Sequence, residues 1–583
     1  MTRKIIPALA FLTCFACSKN NNETLRKIAD LQDRRQTDSL LLYLPASALA
    51  FASVQDTLAI EALAKVNTPE ATFALGQMYN HRAVAPLKAS ASYEALGKCI
   101  DKGDLGVFEI TSSDTVVLAD LAWGLYRAGV RGVVDSSSIN KALSILENRS
   151  AGRSARLGAA HFFARVPFQT NHSISEVITG AASDPDPEIR MAAVNALAKV
   201  KNAGAIPVVD KDYRVLVNAA RALRTQPFND VKHLFEKLLD DPNPHVNVAA
   251  AEVLVNLPAD TGSIHRWAKT AKNWRAQATL YSKLKADNEV KAIYAESTND
   301  YQKAALLNAI SDPDFIFDQF KTNEVKVIKS TAAAALVELH KHDVHSGNRY
   351  LLKYYEIIKD GDQGSIIPVC DAIRDSTLFL KKLITDYSFL EEAKNKLSLP
   401  RDYETYVPLE ATINYLKDLP APAPLKNGYN HPIDWKLAAS ISKDQHVLIK
   451  TSKGDIIMQL FPDEAPGSVV NFVSLVNSGY FNGRFFHRVV PNFVIQTGCA
   501  RGDGFGSEDY SIRSEFSQRH YKAGSVGMAS AGKDTEGTQW FITHSPTPHL
   551  DGKYTIFAEV VEGMDVVHKI EVGDRIISAR LIE

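Results

Sequence analysis

The stretch FFHRVVPNFVIQTG at 485–498 places one arginine, Arg488, among strand-forming apolar residues, with Gln496 eight positions further on. A guanidinium stays charged at any physiological pH. It serves as a permanent, rigid hydrogen-bond donor rather than as a base or nucleophile. Other chemistries lack their parts. Gly502, Gly504 and Gly506 form a glycine-rich GDGFG, but no helix is expected after it to offer an N-terminus to phosphate. Ser530, within MASAG, lacks the first glycine of a hydrolase nucleophile elbow. Arg501-Gly502-Asp503 is a tripeptide expected by chance. No His, Cys and Asp cluster has metal-ligand spacing, so neither metal nor cofactor is expected. His487 and His544 read as hydrogen-bonded structure rather than as acid or base.

Four ordered blocks then carry a resemblance: FFHRVVPNFVIQTG, GSVGMASAG (524–532), GTQWFIT (537–543) and HLDGKYTIFAEVVEGMDVV (549–567). Together they resemble the signature blocks of cyclophilins, and NFVSLVNSGYFNGRFFHRVV is similar to the compact bacterial type. The resemblance covers 446–583. It implies a closed, eight-stranded antiparallel barrel with two helices and the activity of a peptidyl-prolyl cis-trans isomerase.

The resemblance accounts for the arginine. Amide resonance sets a barrier of roughly 18–20 kcal/mol to rotation about a peptide bond. At proline the exchange is slow enough to limit folding. A catalyst must hold the ring, grip the acyl side and favour the twisted state, in which the prolyl nitrogen regains its lone pair. A fixed donor aimed at that nitrogen stabilises the transition state more than the ground state. By the resemblance, Arg488 is that donor, and Gln496 binds the substrate backbone and orients it. Phe493 and Val494 floor the proline pocket, with valine where methionine is common. Ala529 and Ser530 match the strand that pairs with substrate. Gln539 and Phe541 match a polar wall and a ring clamp. Leu550 closes the pocket, Tyr554 stands where histidine or tyrosine-like rings are found, and His549 replaces a common tryptophan. Strand alternation turns Trp540 away from Phe541.

Elements must position these residues. HVLIKTSKGDIIMQLFP (446–462) reads as a hairpin around Lys453-Gly454-Asp455. Val469, Phe472, Val473 and Val476 have helical spacing, and Gly479 could close that helix. A short helix near 564–570 and a strand at 575–582 follow. Before this domain, DLPAPAPLKNGYNHP opens a proline-rich linker assigned to 418–445. Residues 18–417 read as all-helical. Ile189, Ala193, Ala196 and Leu197 fall on one helix face. The same spacing recurs at Val215, Ala219, Ala222 and Leu223, at Val246, Ala250, Val253 and Leu254, and at Ile328, Ala332, Ala335 and Leu336. Ala155, Ala159, Phe162 and Phe163 fit more loosely. The openers DPDPEIR and DDPNPHV precede two of these segments. The pattern resembles HEAT-type repeats, and the expected architecture is a helical solenoid followed by a separate barrel domain.

The chain begins MTRKIIPALAFLTCFACS. Two basic residues, an apolar run too short to span a bilayer, and small Ala16 before Cys17 resemble a lipoprotein signal over 1–17, with lipidation at Cys17. Only Cys99, Cys370 and Cys499 follow it, which is neither a disulfide framework nor a zinc site. At 583 residues with 66 basic and 67 acidic side chains, the chain is multidomain and gives no electrostatic footprint for nucleic acid. The expected protein is an isomerase of X-Pro-containing polypeptides. It is tethered in the envelope of a Gram-negative bacterium, facing the periplasm or cell surface, with a protein partner on the helical array. The alternative is a proline-peptide-binding scaffold with little turnover.

Overall fold

The structure is a computed structural model that describes residues 17–66, 68–78, 92–200, 203–425 and 430–583. Of the expected signal at 1–17, residues 1–16 lie outside these, and Cys17 is placed only as the first residue of a helix, Cys17–Asp33. Among the described residues, no helix is long and apolar enough to cross a membrane.

The chain forms two compact units. One comprises the chain up to Phe168 with Glu515–Gln518, and the other Gln169–Ser514 with Arg519–Glu583. The first unit is helical. Its helices Thr115–Val130 and Arg153–Arg165 lie against each other, and Ala155, Ala159, Phe162 and Phe163 are buried there.

The helical half of the second unit is a stack in two rows. The first row runs α1 (Pro187–Val200), α2 (Tyr213–Leu223), α3 (Pro244–Leu254), α4 (Trp274–Tyr281), α5 (Asp300–Leu307), α6 (Lys326–His342), α7 (Gln363–Arg374) and α8 (Tyr403–Leu416). Each packs on the next. Helices such as Phe228–Leu239 and Pro313–Thr322 back this row from the other side. The four-residue faces read from the sequence in α1, α2, α3 and α6 are all buried. Alanine at their middle positions lets neighbouring helices approach closely. Short polar residues start the row's helices. Asp212, Asn243, Asn273, Asn299 and Asp362 each accept a backbone N–H of the first turn through the side chain.

The other half is an eight-stranded antiparallel sheet: β1 (His446–Thr451), β2 (Gly454–Leu460), β3 (Arg488–Val490), β4 (Val494–Thr497), β5 (Ser525–Met528), β6 (Trp540–Thr543), β7 (Ile556–Glu562) and β8 (Ile576–Ile582). The spatial order is β3-β4-β6-β5-β7-β2-β1-β8. Helix α9 (Pro466–Asn477) sets Val469, Phe472, Val473 and Val476 into the sheet's main core, and α10 (Met564–Val567) adds Val566 and Val567. The terminal strands β3 and β8 do not pair with each other. Instead the segment before β3 exchanges backbone bonds with the first residue of β8 and the residues leading into it, Gly483 N to Ile576 O at 2.7 Å and Phe486 N to Asp574 O at 2.8 Å.

Two sequence expectations change. The assigned linker at 418–445 is only partly one. Residues 419–425 carry no regular structure, but Asp434 caps a helix at Trp435–Ser440. Leu437 and Ile441 pack on the sheet core, and the His431 ring stacks on Tyr510 at 4.2 Å. Apolar side chains on one turn, behind a good cap, gave the chain a reason to dock rather than stay extended. The helical stack and the sheet domain are also not separate bodies, because both fall in one compact unit. First-row helices meet the sheet's loops through their N-terminal turns. Arg214 donates to His544 O at 3.1 Å and Arg275 to Val489 O at 3.1 Å. The Tyr301 hydroxyl donates to Gly502 O at 2.7 Å, and Asn273 donates to Glu571 Oε1 at 2.6 Å. The loop carbonyls of His544 and Gly502, and Val489 O on the edge strand β3, find donors there.

Candidate active site

Strand alternation sorts the predicted residues. On β4, Ile495 faces the main core, while Val494 joins a second, smaller apolar cluster. On β6, Trp540 and Ile542 lie in the main core and Phe541 lies in the second cluster, as alternation requires. That second cluster joins Phe461, Val494, Tyr521, Phe541, Leu550 and Ile556, with Phe493, Ala529 and Tyr554 partly buried against it. It forms an apolar patch on the outer face of the sheet.

The polar residues line its edge. Arg488 opens β3 directly opposite Gln496 on β4, and Gln496 is opposite Phe541 on β6. Arg488 is exposed. Its Nη1 donates to Gln496 Oε1 at 3.3 Å, and its guanidinium lies 5.8 Å from the Phe493 ring centre. Gln496 Nε2 donates to Gln539 Oε1 at 3.0 Å, and Gln539 Nε2 donates to Gly504 O at 2.9 Å. A row of amides therefore backs the arginine. Partial desolvation beside the patch lowers the Arg488 pKa from its ordinary value, yet arginine starts so high that it stays charged. Partial burial and the charge of Arg488 push His487 down to about 4, so it is neutral at pH 7.

Aromatic rings shape the pocket. Phe493 stacks on His549 with ring centres 5.4 Å apart. Phe541 is sandwiched, stacked on Tyr521 at 5.6 Å and met edge-on by Tyr554 at 5.9 Å. The Tyr521 hydroxyl donates to Thr555 O at 3.1 Å. A Cβ at position 527 would come within 2.1 Å of that hydroxyl and 2.6 Å of Phe541 Cζ, so only glycine admits the stack. Ala529 and Ser530 lie just beyond the end of β5 rather than within it, and Ala529 N is already bonded to Gln539 O at 3.0 Å.

A cleft adjoins the patch. Gln496, Ala529, Ser530 and Gln539 line one side, and Arg401, Tyr403 and Glu404 line another. Burial raises the Glu404 pKa. The residues assigned to the isomerase site thus collect along one face of β3, β4 and β6 and the loops beside them, while Cys17 lies elsewhere, at the start of the helix Cys17–Asp33. Reading the sequence missed Tyr521, Gly527 and the α8 residues. Tyr521 and the α8 residues lie outside the recognised blocks. Gly527 lies inside one, but its role depends on packing.

Comparisons with known proteins place the same region. The family model described as cyclophilin type peptidyl-prolyl cis-trans isomerase matches residues 446–580. A peptidyl-prolyl cis-trans isomerase of Synechococcus elongatus is 42% identical over 137 residues, spanning 23% of this chain and 94% of that protein. One from Helicobacter pylori is 43% identical over 138 residues, 23% of this chain and 85% of its own length. Isomerase B of Bacillus subtilis is 45% identical over 121 residues, 20% of this chain and 85% of its own. A solved Cryptosporidium parvum structure of the same type, in the presence of the dipeptide Ala-Pro, is 30% identical. It covers 24% of this chain and 99% of that one, with a TM-score of 0.23.

Proposed function

This chain belongs to the cyclophilin-type peptidyl-prolyl cis-trans isomerase family, and we propose that it turns over X-Pro bonds of polypeptides on the face that carries Arg488. One observation carries this reading: an exposed arginine, braced by Gln496, stands at the rim of an apolar cluster built from Phe493, Val494, Phe541 and Leu550. The proline ring sits on that cluster. Gln496 holds the substrate carbonyl side, and Arg488 donates to the prolyl nitrogen as resonance is lost. Ala529 and Ser530 run alongside the substrate backbone. The cleft past Gln539 takes the residue flanking the proline. His549 and Tyr554 border the ring. No covalent intermediate and no proton transfer is needed.

The experiment is magnetisation exchange between cis and trans forms of a proline tetrapeptide with the full chain. Exchange accelerated at catalytic protein concentration supports the isomerase. Saturable binding without acceleration supports a proline-peptide scaffold instead.

The finer architecture is part of the same proposal. The sheet closes into a barrel, supported by the backbone bonds between 483–486 and 573–576. The stacked rows are a HEAT-like solenoid, supported by the repeated buried alanine faces. Cys17 carries a lipid that tethers the protein in a Gram-negative envelope, supported by the leader pattern alone. There it assists folding, and a protein partner binds the helical array. Metabolic labelling with a fatty acid tests the anchor: Cys17→Ser should abolish the label, and a label that persists places the lipid elsewhere.

A further inference from the structure

The GDGFG loop, with the overlapping Arg501-Gly502-Asp503, touches Gln539 through Gly504 O and also joins the site to the helical stack. Asp362 caps α7, accepting Ser365 N at 3.2 Å and Ser365 Oγ at 2.6 Å. Its other oxygen accepts Arg501 Nη2 at 2.9 Å. The same nitrogen donates to Asp503 Oδ2 at 2.7 Å, and both carboxylates have side chains 0% exposed. Asp503 in turn accepts Phe505 N at 3.1 Å, and Tyr301 of α5 holds Gly502 O. The loop lies so close on α7 that a Cβ at Gly364 would meet Phe505 Cδ2 at 2.6 Å and Asp503 Oδ2 at 2.9 Å. The loop residue between these ties, Gly504, supplies the carbonyl that fixes Gln539, and through it Gln496 and Arg488.

We propose that Asp362 of the helical stack is a positioning residue for Arg488, acting through Arg501, the 501–505 loop, Gln539 and Gln496. The proposal rests on the isomerase reading of Arg488. Its logic is preorganisation. An exposed arginine has many rotamers, and a donor that must meet a transient lone pair loses rate when its support drifts. Each link is a hydrogen bond or ion pair between named atoms, and the far end is anchored in a helix cap rather than in a mobile surface. Burial works against charge on Asp362, but Ser365 and Arg501 hold its carboxyl below the ordinary carboxylate range. The tie to Arg501 therefore persists at neutral pH. The helical stack thus belongs to the catalytic apparatus, whatever else it binds.

The test uses the full chain. Asp362→Asn keeps a capping oxygen but loses the charge that holds Arg501. It should lower kcat about tenfold with KM within about twofold, because Arg488 acts in the transition state. Tyr301→Phe, which removes one hydroxyl and keeps the ring, should shift kcat in the same direction by less. The double variant Asp362→Asn with Gln539→Leu should lose little beyond Gln539→Leu alone, since both cut one chain of contacts. Nitrogen relaxation of the Arg488 Nε–H should report a more mobile side chain in Asp362→Asn and Tyr301→Phe. That readout stands even if the wild-type chain shows no turnover, which would count against the isomerase reading alone. Unchanged Arg488 relaxation in a variant with wild-type melting overturns the proposal, as do losses that multiply in the double variant. If Asp362→Asn fails to fold, Tyr301→Phe decides by the same two measurements.

Discussion

Along Val494-Ile495-Gln496 and Trp540-Phe541-Ile542, alternate side chains divide between the main core and the outer patch. This division was legible because period two is a local property of a strand. What surrounds Phe541 was not, since Tyr521 reaches it from a loop through a gap that exists only because residue 527 is glycine. His549 belongs at this scale too. Stacked on Phe493, it presents a smaller ring and a different donor direction than the tryptophan common in the family. The family resemblance implies that this tryptophan gives the macrocycle cyclosporin an indole N–H and a broad apolar face, so cyclosporin inhibition should be weak in the wild type and strengthen by about tenfold or more in His549→Trp, since each ~1.4 kcal/mol is tenfold. An inhibition titration checks this, and tight inhibition of the wild type removes His549 from the site.

At the scale of elements, the N-terminal turns of the first-row helices do two jobs. Asp212, Asn243, Asn273, Asn299 and Asp362 cap their helices. The caps, or residues one to three positions later, reach the sheet's loops or its edge strand β3: Arg214, His245, Arg275, Tyr301, and Asp362 itself. The turn between β3 and β4 is held from further along α2, with Asn492 Nδ2 donating to Asn218 Oδ1 at 2.9 Å and Arg221 donating to Pro491 O at 2.9 Å. The caps stand in the sequence as Asp or Asn before each apolar run. Their second use does not, because facing the sheet is a property of the stack. Asn273→Ala removes both jobs at once, the cap on Arg275 N and Ala276 N and the bond to Glu571. The lost cap alone costs about 1 kcal/mol, and the lost contact adds to it. Denaturant unfolding should show the midpoint fall, and an unchanged midpoint would mean that the cap and contact contribute nothing.

For the whole molecule, joining stack and sheet in one unit changes what the isolated sheet domain should do. Residues 440–583 expressed alone would expose the surfaces that meet Arg214, Arg275 and Tyr301, so the fragment should unfold at a lower temperature than the full chain. Equal melting would show that the docking adds no stability. The interface also carries a histidine group. His544 and His568 stack at 5.5 Å, and His568 Nδ1 and the Tyr213 hydroxyl share a hydrogen bond at 2.8 Å. Burial first, then nearby Arg275, depresses His245 to about 3, and burial with Arg214 depresses His568 to about 4. Their folded forms are neutral, whereas the unfolded chain takes up protons near pH 6.5. Stability should hold above about pH 6.5 and fall between about 6.5 and 4, by up to about 1.4 kcal/mol per pH unit for each histidine. A flat stability profile from pH 7 to 5 would contradict this.

Arg488 is proposed to catalyse prolyl rotation on this face. The most direct measurement compares kcat and peptide affinity of full-length wild type and Arg488→Ala on one X-Pro peptide. Because Arg488 is exposed, the variant should fold and bind peptide nearly as well, while kcat falls about 100-fold or more, corresponding to about 2.7 kcal/mol of barrier. A folded variant that keeps near-normal kcat would contradict the account.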